Sequence, residues 1–205
     1  MSAFLGPIHH WLFNKINIQE NLIEALLKFA EEKTGETLAL RQESYAKYGT
    51  PVTGNLEDII EGNNIHGWLQ ERVTSAEDRL AYTMTHLMNQ NYITIEEAKN
   101  LFKANGQQTF ASLDEDIVTP MDCYQAIFDS LLEGMPCDRV NEVITSNEDE
   151  VVWRASRCIH EAYWNEVDGD ISYFYILRNA WIEGFVEGSS MHYENAGDQT
   201  YKIRK

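Results

Sequence analysis

Four of the six histidines stand in the same local frame: a histidine, six further residues, an isoleucine or valine, and a polar residue that could begin a helix. The histidines are His9, His66, His86 and His160, and the polar residues are Asn17, Thr74, Thr94 and Asp168. The first three frames continue with two residues and a glutamate, as in a capping box (Glu20, Glu77 and Glu97). A histidine at a fixed distance from a helix break could bring several imidazoles to one level of a bundle, so the frame indicates a shared site.

The helix rise of about 1.5 Å per residue predicts which side chains would meet if each break were a tight hairpin. His66 would then lie level with Tyr82, one turn from His86, and His9 would lie level with Glu24. In falling order, this geometry nominates for one mid-bundle cluster His66, His86, His9, His160 and Glu24. Imidazole and carboxylate suit Fe, Zn or Mn, and bundles hold such metals between facing helices. The spacing therefore predicts a transition-metal or metal-cofactor site with a redox, oxygen-handling or sensing role.

Other interpretations of the same residues stay open. Neither H-E-x-x-H nor E-x-x-H occurs, and a histidine beside Trp or Leu on a helix is commonly a packing residue. A non-catalytic protein-interaction or structural module, with the frames as packing units, is therefore the alternative. A third interpretation is small-molecule binding in an aromatic cavity without a metal. Phosphate-binding glycine loops and a G-x-S-x-G elbow are absent, and no catalytic residue or substrate is indicated.

Composition and charge narrow the range of partners. A net charge of −17 would repel nucleic acid and anionic lipid headgroups, so we expect neither nucleic acid nor a membrane as a partner. A homodimer or another protein partner is compatible with the sequence. Three cysteines without C-x-x-C spacing suit reduced thiols, and the N-terminal segment has neither the charge pattern of a signal peptide nor the length of a membrane span. We therefore expect a cytoplasmic protein.

Nearly every segment has helical rather than strand periodicity. The pattern predicts helices at 7–16, 18–33, 56–73, 75–92, 95–105, 120–133, 137–145, 147–167 and 170–187. The first and second frames also align over a longer stretch at an offset of 57 residues, which pairs Trp11 with Trp68 and Lys15 with Arg72. We expect an all-α, multi-helix bundle of repeated helix-turn-helix units. It forms a single domain over residues 1–188, with a duplication seam near 50–54 and a C-terminal tail at 189–205.

Overall fold

The computed structural model describes residues 5–35, 37–60, 64–114 and 116–205. The helices are α1 (Pro7–Thr34), α2 (Leu40–Tyr48), α3 (Leu56–Ile59), α4 (Ile65–Asn89), α5 (Ile95–Ala111), α6 (Pro120–Ser130), α7 (Glu161–Asn165) and α8 (Ile171–Glu187). A 3₁₀ turn spans Pro136–Asp138. The strands are β1 (Asn141–Ser146), β2 (Glu150–Ala155), β3 (His192–Gly197) and β4 (Thr200–Arg204).

The prediction of an all-α bundle is wrong, because the residues that the structure describes combine 61% helix with a four-stranded antiparallel sheet. The strand order is β1-β2-β4-β3. The segments predicted as helices at 137–145 and the start of 147–167 form β1 and β2. Both contain β-branched residues, such as Val151 and Val152, that suit a pleated surface. Val151 and Trp153 alternate with partly exposed neighbours and pack into the core, as strand periodicity requires.

The C-terminal segment after residue 188 completes this sheet. β4 lies between β2 and β3, with Trp153 opposite Tyr201 and Val151 opposite Ile203. Tyr201 and Ile203 are buried against the helices. The last residues of the chain therefore belong to the same core as the helical part.

Two of the predicted helix breaks do not occur. α1 runs unbroken through Asn17, and α4 runs unbroken through Thr74. The glutamates expected to cap these breaks contact distant residues instead: Glu20 forms an ion pair with Arg79, and Glu77 contacts His160. Tertiary contacts thus outweigh the local capping signal, and the repeated helix-turn-helix units are replaced by two long helices. The third predicted break is present, with a capping box at Thr94 and Glu97.

The two long helices lie side by side and run in the same direction. His9 near the start of α1 contacts His66 near the start of α4, and Glu20 further along α1 contacts Arg79 further along α4. A small apolar cluster joins the N-terminal halves of these helices: Leu12, Phe13, Ile16, Leu56, Leu69, Val73, Ala76 and Leu132. The larger core lies between their C-terminal halves, α5, α6, α8 and the sheet.

The closest helix packing is between α5 and α8. A Cβ atom on Gly106 would overlap the carbonyl oxygen of Trp181, and one on Gly184 would overlap the carbonyl oxygen of Lys103. The two glycines therefore allow the backbones to approach each other directly. Within the described part of the chain, no helix is both long enough and apolar enough to cross a membrane.

Candidate functional site

The histidines of the duplicated frame meet at the N-terminal ends of α1 and α4. The Nε2 atoms of His9 and His66 lie 3.2 Å apart. The backbone N–H of Gly6 donates to Nδ1 of His9 at 2.9 Å, so the proton of the neutral His9 ring is on Nε2, which donates to His66. Both rings border a mainly apolar pocket of about 220 Å³ that also contains Cys137. The structure thus brings together two of the five nominated side chains.

His160 lies in a different environment. Its Nδ1 atom is 2.9 Å from Oε2 of Glu77, and both side chains are buried. The ring stacks on Phe174 with 3.8 Å between centroids. Glu77 is thus the partner that orients His160, rather than the capping acid that the sequence predicts.

His86 and Glu24 complete the nominated set. The ring of His86 contacts Tyr82 on the preceding turn of α4, with 6.1 Å between centroids. Glu24 accepts a hydrogen bond from Nε of Arg41 at 2.8 Å. Among residues 5–35, 37–60, 64–114 and 116–205, no three His, Cys, Asp or Glu side chains form a group that could hold a metal ion. The five nominated side chains therefore do not meet in one group, since the first two frames continue as long helices rather than hairpins. The binding of Fe, Zn or Mn by this protein stays a prediction.

Sequence reasoning missed a set of charged side chains inside the molecule. Three ion pairs have buried or nearly buried partners: Glu20 with Arg79, Glu77 with His160, and Glu133 with Arg178. Lys15 is equally buried, with 1% of its surface exposed. Its ammonium forms no hydrogen bond or ion pair with any residue that the structure describes. Buried charges are normally paired, so the position of Lys15 is unusual for a lysine.

Aromatic rings replace acidic partners around Lys15. The Nζ atom lies 4.0 Å from the ring centroid of Trp11, one turn earlier on α1, and 4.5 Å from that of Phe128 on α6. Rings hold a desolvated cation by cation–π attraction, but they accept no conventional hydrogen bond from it. Burial lowers the pKa of Lys15 from 10.5 to about 8, although the charges of Glu133 and Asp129 act in the opposite direction.

A cleft of about 230 Å³ adjoins Lys15, and we call it the lysine cleft. Its walls come from α1, α6, the 3₁₀ turn and the start of β1, and its lining includes Trp11, Lys15, Tyr124, Phe128, Glu133, Arg139 and Asn141. Most of these residues are half-buried, so the cleft opens to solvent. Arg139 is a second cation in the lining that has no ion-pair partner in the described ranges.

The acidic residues near the cleft are engaged elsewhere. Glu133 accepts from Nε of Arg178 at 2.5 Å and also from the side-chain amide of Asn141. Burial alone would raise the pKa of Glu133, but the adjacent charge of Arg178 holds it below its ordinary value. Asp129 accepts from the indole N–H of Trp11 at 2.8 Å. Neither carboxylate is hydrogen-bonded to Lys15, so neither Lys15 nor Arg139 has an acidic partner among the residues that the structure describes.

Backbone geometry after α6 shapes one wall of the cleft. Gly134 has φ +75, and a Cβ atom there would lie 2.6 Å from Oδ2 of Asp138 and from Cδ1 of Ile159. Arg139 also has a positive φ, of 48. A glycine suits the first of these positions, because side chains other than glycine rarely adopt its left-handed conformation. The chain therefore turns sharply enough to place Arg139 and Asn141 beside α1.

One signal in the sequence could have indicated the lysine cleft. Trp11 and Lys15 are four residues apart, which places them on one face of a helix. The duplicated frame repeats this pair as Trp68 and Arg72, whose guanidinium carbon lies 5.6 Å from the indole centroid. The remaining parts of the cleft, such as Phe128, come from distant segments and carry no local signal.

The fold and the site together describe a mixed helical and β protein with a small aromatic cleft lined by Lys15 and Arg139. No family model matches this chain, and neither a curated protein nor a solved structure is significantly similar to it.

Proposed function

We propose that this protein binds a small organic anion, a carboxylate or phosphate on a planar apolar body, in the lysine cleft. The observation that carries the proposal is the ammonium of Lys15, which is 1% exposed and borders an open cleft. It has no hydrogen-bond acceptor or ion-pair partner among the residues described. A ligand anion would supply the missing acceptors.

The energetics favour an anion over a neutral ligand. A buried ammonium without acceptors loses much of its solvation energy, and a charge-assisted hydrogen bond to a carboxylate or phosphate would offset part of that loss. Arg139 lines the same cleft and adds a second positive charge. These cations stand out in a chain of net charge −17, which would otherwise repel an anion.

The shape and lining of the cleft limit the size and chemistry of the ligand. Trp11, Tyr124 and Phe128 contribute aromatic surface, and planar groups pack well against such rings. A volume of about 230 Å³ is below the range of pockets for drug-sized ligands, roughly 300–1,000 Å³. The ligand we propose is therefore about the size of a single substituted ring.

Binding of two probe anions tests this function. Benzoate and phenyl phosphate carry the same ring with a carboxylate or a phosphate, and isothermal titration calorimetry measures the affinity of each. We expect saturable binding of at least one probe to the native protein. Lys15→Met should weaken it about tenfold to a hundredfold, because it removes one charge-assisted interaction.

Two variants make this result interpretable. Lys28→Met removes a lysine side chain that is 74% exposed and should leave the affinity unchanged. Arg139→Gln should weaken binding without altering the buried lysine. Saturable binding that is equal in native protein and Lys15→Met, or no binding of either probe, would contradict the proposed function.

The compartment and partners belong to the same proposal. Cys123, Cys137 and Cys158 form no disulfide, which supports a reducing compartment such as the cytoplasm. The net charge of −17 supports a protein that avoids nucleic acid and anionic membrane surfaces.

A further inference from the structure

The side chain at the centre of the lysine cleft is also a primary amine, and its position suits covalent chemistry. We propose that Lys15 acts as a nucleophile and forms an imine with an aldehyde or ketone group of the bound anion. This inference rests on the proposed function, because it names the reactive group that the same ligand would carry. The substrate class is a small oxo acid or an aromatic aldehyde with an acidic group.

A nucleophilic amine must be able to lose its proton, so it must not be held in a permanent ion pair. Among the described residues, the surroundings of Nζ meet this requirement. An ammonium held in an ion pair keeps its proton and has no lone pair to donate, so the acidic group of a reacting ligand must bind Arg139 and leave Lys15 to face the carbonyl group. The nearest carboxylates, Glu133 and Asp129, are bonded to Arg178 and Trp11 respectively. The rings of Trp11 and Phe128 lie 4.0 and 4.5 Å from the amine, which borders the cleft.

Burial gives the amine a second advantage. Its pKa of about 8 compares with 10.5 for an ordinary lysine, so about one tenth of Lys15 is neutral at pH 7. An ordinary lysine is neutral at this pH in well under about one part in a thousand. The charges and titratable groups that face Nζ are Asp129 and Tyr124 on α6, and Glu133 and Arg139 in the segment after it.

The reaction balances without an oxidant or reductant. The neutral amine donates its lone pair to the carbonyl carbon, a C–N bond forms, and the π electrons of the C=O bond move to oxygen. The two protons of the amine are transferred to that oxygen, which leaves as water as the C=N bond forms. Arg139 is the cation available to hold the ligand's acidic group during these steps.

Reductive trapping tests the inference on the intact protein. The probe is 4-carboxybenzaldehyde with sodium cyanoborohydride at pH 7, followed by intact mass measurement and peptide mapping. The reagent reduces the imine to a stable secondary amine, which marks the residue that reacted. We expect labelling of Lys15 about tenfold or more faster than labelling of the exposed Lys28, because far more of Lys15 is neutral.

Further measurements exclude nonspecific labelling. The rate at Lys15 should rise with pH and level off above about 8, and benzoate should slow it by competition. Lys15→Met should lose that label and retain the slow label at Lys28. Labelling of Lys15 no faster than that of Lys28 would overturn the imine proposal. If benzoate still binds in a Lys15-dependent manner in that case, the proposed function stands without the chemistry, and if benzoate does not bind, both proposals fail.

Discussion

At the scale of single residues, the molecule balances its buried charges in two ways. Glu133 and Arg178 neutralise each other at 2.5 Å, and the remaining oxygen of Glu133 accepts from Asn141. Lys15 instead has aromatic neighbours and a lowered pKa, which leaves part of its bonding capacity for a ligand. The paired charges therefore stabilise the walls, and the unpaired charge is the functional candidate.

The stability of Glu133→Gln tests the role assigned to the paired charges. Removing this carboxylate leaves the guanidinium of Arg178 buried without a counter-charge, so we expect the free energy of unfolding to fall by about 3–5 kcal/mol. Urea denaturation at pH 7 measures the change. Glu142→Gln is the matched control, because Glu142 is 66% exposed and lies 3.8 Å from Arg154, and it should change stability by less than about 0.5 kcal/mol.

The same variant should alter the acid dependence of stability. The pKa of Glu133 is lowered in the folded protein, so its stabilisation is fully present above its ordinary pKa of 4.5 and is lost as the pH falls through the lower folded-state value. Glu133→Gln should lack this part of the acid-induced loss. A variant as stable as the native protein over the whole range would contradict the assigned role.

At the scale of elements, a local capping sequence predicts the start of a helix correctly where no distant residue binds the capping side chain. The box at Thr94 and Glu97 begins α5, as the sequence predicts, whereas the side chain that caps α8 is Asp170 rather than the predicted Asp168. Asn17 and Glu20 form an equally good capping-box sequence, but Asn17 lies inside α1. Glu20 forms an ion pair with Arg79 instead of capping a helix. β1 pairs only with β2 and is mostly exposed, so it carries no buried stripe that periodicity could reveal. β2 packs into the core beside a second partner strand, β4, which lies about 50 residues further along the chain.

A pair of alanine substitutions tests this account of the helix boundaries. Asn17→Ala should leave the free energy of unfolding unchanged or raise it by up to about 0.7 kcal/mol, because alanine is a better helix former than asparagine in a helix interior. Thr94→Ala should lower it by about 1 kcal/mol, because it removes a side-chain cap. Thermal and chemical denaturation measure both. A loss at Asn17 as large as that at Thr94 would indicate that α1 is broken there.

At the scale of the whole molecule, the sheet packs on the helices to form one core. The start of the sheet also forms part of the wall of the lysine cleft. β2 and β4 cover the helices with Trp153 and Tyr201, and the segment leading into β1 supplies Asn141 to the cleft wall. The sequence predicted most of the helical content and the third helix break, but not the direct contact between His9 and His66. It could not predict the cleft, since the residues around Lys15 come from segments more than a hundred positions apart and meet only through tertiary packing.

The pKa of Lys15 is the quantity that tests the account most directly. NMR of the protein with ¹³C-labelled lysine, with and without saturating benzoate or phenyl phosphate, measures it at the side chain, and Lys15→Met assigns the signal. We expect a pKa of about 8 in the free protein and a higher value with the anion bound, because a nearby negative charge favours the ammonium. A pKa of 10.5 that neither anion changes would show a lysine that is neither buried nor part of a binding site, and would contradict the account.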